Sequence, residues 1–148
     1  MISDRVRRNV TRSLWVVAVV TVAFWVVWYA DRAVLASNSR PAYYEFENAF
    51  PVADGWLAFA CAAAALTLSR RSPSALLWLI AAASAGLYLA GMDILYDLEH
   101  GIWWRSGAGG VIEAIINAVS LFGGMWLMRW SWSNREGLLR QELVVTRT

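Results

Sequence analysis

Asp93, Asp97 and His100 follow one another at intervals of four and three residues, the spacing that stacks side chains on one face of an α-helix. Two carboxylates and an imidazole on one face form a candidate metal-ligand set, and Glu113 or Asp54 can complete its shell. Carboxylate oxygen with one imidazole suits manganese, iron or zinc, and oxygen alone suits magnesium or calcium. A divalent metal ion is therefore a candidate cofactor, with Asp93, Asp97, His100 and Glu113 as its candidate ligands. The same acids support a second chemistry. Asp54, Asp93, Asp97, Glu113 and Asn117 together make a candidate binding set for a cation, an amine or protons. No HExxH, CxxC, glycine-rich phosphate loop or hydrolase elbow occurs, so no residue is assigned a catalytic role.

The segments that carry these residues read as membrane spans. Between Arg12 and Asp31 lie 18 uncharged residues, and between Arg71 and Asp93 lie 21. Asp54 to Arg70 and Glu113 to Arg129 each enclose 15. A spanning helix needs roughly 20 mostly apolar residues, so the last two reach that length only with Asp54 and Glu113 inside. Helices are expected near 10–31, 51–70, 73–99 and 109–132, forming an all-α four-transmembrane-helix bundle with short loops and a single domain over 1–148. Pro51 and Pro73 suit first turns, Gly101 suits a helix stop, and Gly107 to Gly110 suit a flexible lead into the last helix. Segment 41–50, with Tyr43, Phe46 and Phe50 at helical spacing, reads as a short amphipathic helix in the outer interface.

Composition agrees, with 59% apolar and 16% charged residues, well below the quarter charged that is usual for soluble domains. Thirteen arginines and no lysine balance eleven acids. They are too scattered for a nucleic-acid groove, and nucleic acid is excluded as a partner. Arginines cluster before the first span, between the second and third, and after the fourth, whereas connections 31–50 and 97–108 are acid-rich. The positive-inside rule then puts both termini in the cytoplasm of a multi-pass plasma-membrane protein. The first apolar run, Leu14 to Ala30, is longer than a signal-peptide core, so an uncleaved helix is expected. Cys61, alone and mid-span, reads as a packing residue.

The ten tryptophans read as interfacial belts. Trp15, Trp78, Trp126, Trp130 and Trp132 fall at the inner boundary and Trp25, Trp28, Trp56, Trp103 and Trp104 at the outer, with Trp56 the candidate to line a pocket. Small or polar residues form one stripe per helix: Asp54, Ala58, Cys61, Ala65 and Ser69; Ala82, Gly86, Ala90, Asp93, Asp97 and His100; Glu113, Asn117, Ser120 and Gly124. Such stripes mark close helix approach, so the acids are expected to converge inside, near the outer edge. Each of Asp54 and Glu113 lies 16 residues from the arginine ending its span, about 24 Å along the axis. Val52 to Arg70 and Val111 to Arg129 align on acid and arginine as a faint internal repeat. Glu45, Glu47 and Glu99 read as solvated charges.

Clustered anions need shared protons, a bound cation or a loop arginine, for which Arg105, Arg32 and Arg40 are the candidates. Three functions follow. The first is an outward acidic pocket that binds or transports a cation, an amine-bearing small molecule or protons. The second is an accessory membrane subunit packed against larger partners or a second copy. The third is a metal- or acid/base-dependent enzyme acting on a lipid or isoprenoid. The bilayer is the common partner of all three.

Overall fold

The computed structural model describes residues 2–36 and 39–140. All regular structure among them is helical. In order, the elements are α1 (Asp4–Asp31), a 3-10 turn (Arg32–Val34), α2 (Pro41–Glu47), α3 (Pro51–Ser69), α4 (Ala75–His100), α5 (Ile102–Arg105), α6 (Gly107–Ser133) and α7 (Arg135–Leu139). Four helices are long and apolar enough to cross a membrane. The α1 helix starts earlier than the hydrophobic pattern alone suggests. Ser3 caps it by accepting the Val6 amide, and Asp4 occupies its first turn, where a carboxylate is favoured.

The long helices pack in chain order, α1 on α3, α3 on α4 and α4 on α6, while α1 and α6 do not pack along each other. The bundle is thus an open row, and its burial pattern follows. The edge helix α1 buries one stripe, Val10, Leu14, Ala18, Trp25 and Trp28. The other edge helix, α6, buries Gly110, Asn117, Gly124 and Ser131, spaced at intervals of seven. The middle helix α3 buries two stripes, one holding Ala60, Ala64 and Leu68 and the other Ala58, Cys61 and Ala65. Small side chains on both faces let α1 and α4 approach it together. Of its expected stripe, Ser69 is exposed instead, because it sits in the last turn beyond the packed region.

Glycine and arginine positions close the corners. Gly101 ends α4 in the left-handed conformation (φ 66°) with its amide donating to the Asp97 carbonyl, as the stop reading expects. Gly107 to Gly110 are not a flexible lead but the first turn of α6. At Gly110 a Cβ would collide with the carbonyl oxygens of Ile102 and Trp103, so α5 and α6 fold into a hairpin whose backbones touch. At the arginine end, Asp4 pairs with Arg71 at 3.0 Å and with Arg7 at 3.6 Å, joining α1 to the α3–α4 turn. The α7 helix turns Leu138 into the core formed by α1, α3 and α4.

The tryptophans do not form two simple belts. Trp56 and Trp78, expected at opposite boundaries, have ring centroids 6.3 Å apart and share Phe59 as a neighbour. They cannot mark headgroup layers separated by about 30 Å. Trp56 is also half exposed, with its ring against Phe59 and Trp78.

The α4–α6 seam yields a test. A Cβ at Gly124 would meet Leu87 Cγ at 2.9 Å and the Ala83 carbonyl oxygen at 3.3 Å, whereas one at neighbouring Gly123 meets nothing within 4 Å. Gly124→Val is expected to destabilise the protein by about 1–3 kcal/mol through overpacking. Gly123→Ala should leave its thermal unfolding in detergent unchanged or slightly raised.

Candidate functional site

Asp97 is the deepest carboxylate, 3% exposed, on the last turn of α4. Its Oδ2 accepts two hydrogen bonds, from Asn117 Nδ2 on α6 at 2.7 Å and from Trp103 Nε1 on α5 at 2.8 Å. Asn117 is 1% exposed, and its Oδ1 has no hydrogen-bond partner. The carboxylate can only accept, so the Asn117 amide must present its NH2 to Asp97 and leave its oxygen over. One turn toward the acidic end on the same α6 stripe, Glu113 Oε1 accepts from Tyr43 Oη at 2.8 Å.

The α3 helix contributes Asp54, whose Oδ2 accepts from Trp25 Nε1 on α1 at 2.8 Å. Asp93, one turn before Asp97 on α4, lies between the two flanking helices. It is close enough to Asp54, Asp97 and Glu113 for their charges to act on it. The aligned segments of α3 and α6 therefore run parallel on either side of α4 and each brings its acid to Asp93. Of the sequence-derived set, Asn117 bonds Asp97 directly and Asp54, Asp97 and Glu113 lie within electrostatic range of Asp93; none of the five is exposed.

His100 is placed differently. Its ring stacks on Tyr96 with centroids 4.1 Å apart, and its Nδ1 lies 2.9 Å from the Tyr96 carbonyl oxygen. That local contact occupies the nitrogen and one face of the imidazole. Among the described residues no three His, Cys, Asp or Glu side chains are grouped so as to hold a metal ion. Glu99 is exposed, as is Glu45.

Glu47 is the residue that the sequence reading misplaced. It is not a solvated loop charge but is part-buried, beside Tyr43 and within electrostatic range of Glu113, Asp93 and Asp54. Glu47 follows Tyr43 by four residues and so shares its helix face, and the structure buries Tyr43 to 3% exposure. The α2 face bearing them therefore packs on protein rather than lying on lipid. Phe46 stacks on Tyr96 with centroids 3.7 Å apart, and Trp28 donates to Asn48 Oδ1 at 3.0 Å, holding α2 across the acidic end.

The partners of these carboxylates are notable for their charge. Asp54 and Asp97 take their hydrogen bonds from two indoles and an amide, all neutral. Among the described residues, ion pairs form on Asp4 and Glu136, and none on Glu47, Asp54, Asp93 or Asp97. Of the loop arginines, Arg32 sits over the Tyr44 ring at 4.5 Å and Arg105 folds against the Gly101 backbone. Three tryptophans assigned to the outer belt, Trp25, Trp28 and Trp103, are thus interior donors.

Removing the buried amide gives a measurable cost. Asn117→Leu leaves Asp97 with Trp103 as its sole described donor. Hydrogen bonds between membrane helices contribute about 1–2 kcal/mol at most, because the unfolded chain also finds partners. A loss of about that size is expected in thermal or denaturant unfolding. Adding Asp97→Asn should recover part of it, and strict additivity of the two substitutions would rule out the coupling.

Comparison of the chain with protein-family models, with curated proteins and with solved structures finds no match in any of the three.

Proposed function

We propose that this chain is a multi-pass membrane protein whose acidic end faces outward and binds a proton or an organic cation, such as an amine-bearing small molecule. The observation that carries the reading is that Asp97, Glu113 and Asp54, on α4, α6 and α3, are held by side-chain donors from neighbouring helices at one end of the row, with Glu47 and Asp93 in electrostatic range of them. Several carboxylates at close range in a low dielectric repel unless protonated or countered by positive charge. At Asp54 and Asp97 the hydrogen-bond donors are indoles and an amide, which lower the cost of an anion but bring no charge, so a proton or a cationic ligand can complete the balance there. Ionisable groups in membrane-embedded helices are functional candidates for this reason.

An organic cation or proton fits better than a divalent metal. A preformed metal shell needs three or more ligands converging on one point, and His100 is turned to Tyr96. The asymmetry of arginines supports cytoplasmic termini, and exposed Val, Ile and Leu along α1, α4 and α6 support lipid around the row. Transport is a natural extension of such a site.

A second reading, the accessory subunit, has one observation in its favour. The edge helices α1 and α6 each bury a single stripe and leave broad apolar faces bare, which a larger membrane partner or second copy could cover as well as lipid. In that case the Asp97–Asn117 bond serves only to hold helices together.

Thermal unfolding of the detergent-purified protein separates the two. Methylammonium, divalent metal ions and a pH series are compared for the parent, Glu113→Gln, Asp93→Asn and Glu45→Gln. Ligand at a hundredfold excess over Kd stabilises the folded state by about 2.7 kcal/mol. Stabilisation by methylammonium or by falling pH is expected in the parent and in Glu45→Gln, whose site is exposed. It should be lost in Glu113→Gln and Asp93→Asn. A flat panel, with all variants as stable as the parent, would sink the binding reading in favour of the subunit.

A further inference from the structure

A groove of about 430 Å³ runs between α1 and α3, lined by Val22, Trp25, Val26 and Tyr29 on one side and Asp54 and Gly55 among others on the second. Its lining is apolar apart from Thr21 and one charged group, the Asp54 carboxylate. Trp25 occupies Oδ2 of that carboxylate, and Oδ1 accepts no hydrogen bond among the described residues. Val22 and Val26 beside the groove are 55% and 64% exposed, so it opens sideways, on the face that meets lipid if the helices span a bilayer. Gly55 leaves the floor open, since a Cβ there would meet nothing within 4 Å.

We infer that this groove binds an amphiphilic amine taken from the outer leaflet, its ammonium on Asp54 and its alkyl chain along α1 and α3. The inference rests on the cation-binding reading above and names the ligand class. Charge complementarity selects the occupant. A neutral acyl chain would satisfy the walls only with Asp54 protonated, and a small hydrated cation would satisfy the carboxylate and leave the walls unfilled. A molecule with an ammonium at one end and a hydrocarbon chain at the other satisfies both. The faces of Trp25 and Tyr29 add favourable sites for the cationic head. Asp54 also acts electrostatically on Asp93 and Glu47, so a cation seated there stands at the rim of the cluster and needs no aqueous path to reach it.

The test uses the full chain in phosphatidylcholine nanodiscs and reads thermal stability against dodecylamine, dodecanol and methylammonium. Dodecylamine is expected to stabilise the parent at concentrations at least tenfold below those of methylammonium, with dodecanol inactive. Gly55→Phe, which fills the groove from an exposed position and keeps the Asp54 carboxyl, should remove that tenfold advantage, and Gly55→Leu should reduce it. Equal potency of dodecylamine and methylammonium, unchanged by Gly55→Phe but lost in Glu113→Gln, would overturn the groove and leave the cluster reading intact. Equal action of dodecylamine and dodecanol would mean that the groove takes lipid chains alone, which also overturns it. A dodecylamine effect that survives Glu113→Gln yet disappears in Gly55→Phe would uphold the groove and overturn the cluster. No response to either amine would overturn both.

Discussion

The hydrogen bond from Asn117 to the buried Asp97 carboxylate is the constraint on which the acidic end depends. Asn117 is on α6 and Asp97 on α4, so the bond sets both the rotation of α6 and its height against its neighbour. Its energy is modest, but it is directional where apolar contacts are not, so it selects one register. With that register set, Gly124 falls against Leu87 and Ala83 two turns deeper, and Glu113 stands one turn above Asn117, within electrostatic range of Asp97 and Asp93. Trp103 draws the short α5 into the same carboxylate, and the glycine at 110 lets the α5–α6 hairpin close tightly enough for it to reach.

Aromatic side chains, rather than arginines, organise the rest of the site. Trp25 reaches Asp54 from α1, Tyr43 reaches Glu113 from α2, and Trp28 secures α2 through Asn48. An indole N–H stabilises a carboxylate while its ring packs like any apolar group, so it can stand in a membrane-length helix at little cost. An arginine in these places would hold the acids equally well and would also cancel their charge. The neutral donors on Asp54 and Asp97 keep those two acids positioned without cancelling their charge.

The open row explains why so little of each edge helix is buried. A helix touching one neighbour needs one stripe, and the interval of seven in α6 is the narrow seam of such a contact. Helices α3 and α4, with neighbours on both sides, bury mostly alanine, which lets their backbones come close. Between α1 and α3 the contact diverges near the acidic end, where Gly55 and Ala58 face Trp25 and Tyr29 across the groove.

Much of this was readable from residue order. Charge-free runs set helix number and length, because crossing a hydrocarbon core demands a minimum count of apolar residues. Small-residue spacing placed Asp54, Asp93, Asp97, Glu113 and Asn117 on inward faces, because helical geometry ties interval to direction. What residue order could not decide was which neighbour each face meets. Glu47 sits in a short polar-looking segment, and only the docking of Tyr43 and Phe46 onto α4 and α6 turns it inward. Trp25, Trp28 and Trp103 have the composition of a headgroup belt, and an indole serves a headgroup or a buried carboxylate with the same N–H. His100 has ligand spacing on its helix, but a stack on Tyr96 takes its ring. Periodicity reports the face of a single helix; the partner across that face is set by the packing of all of them together.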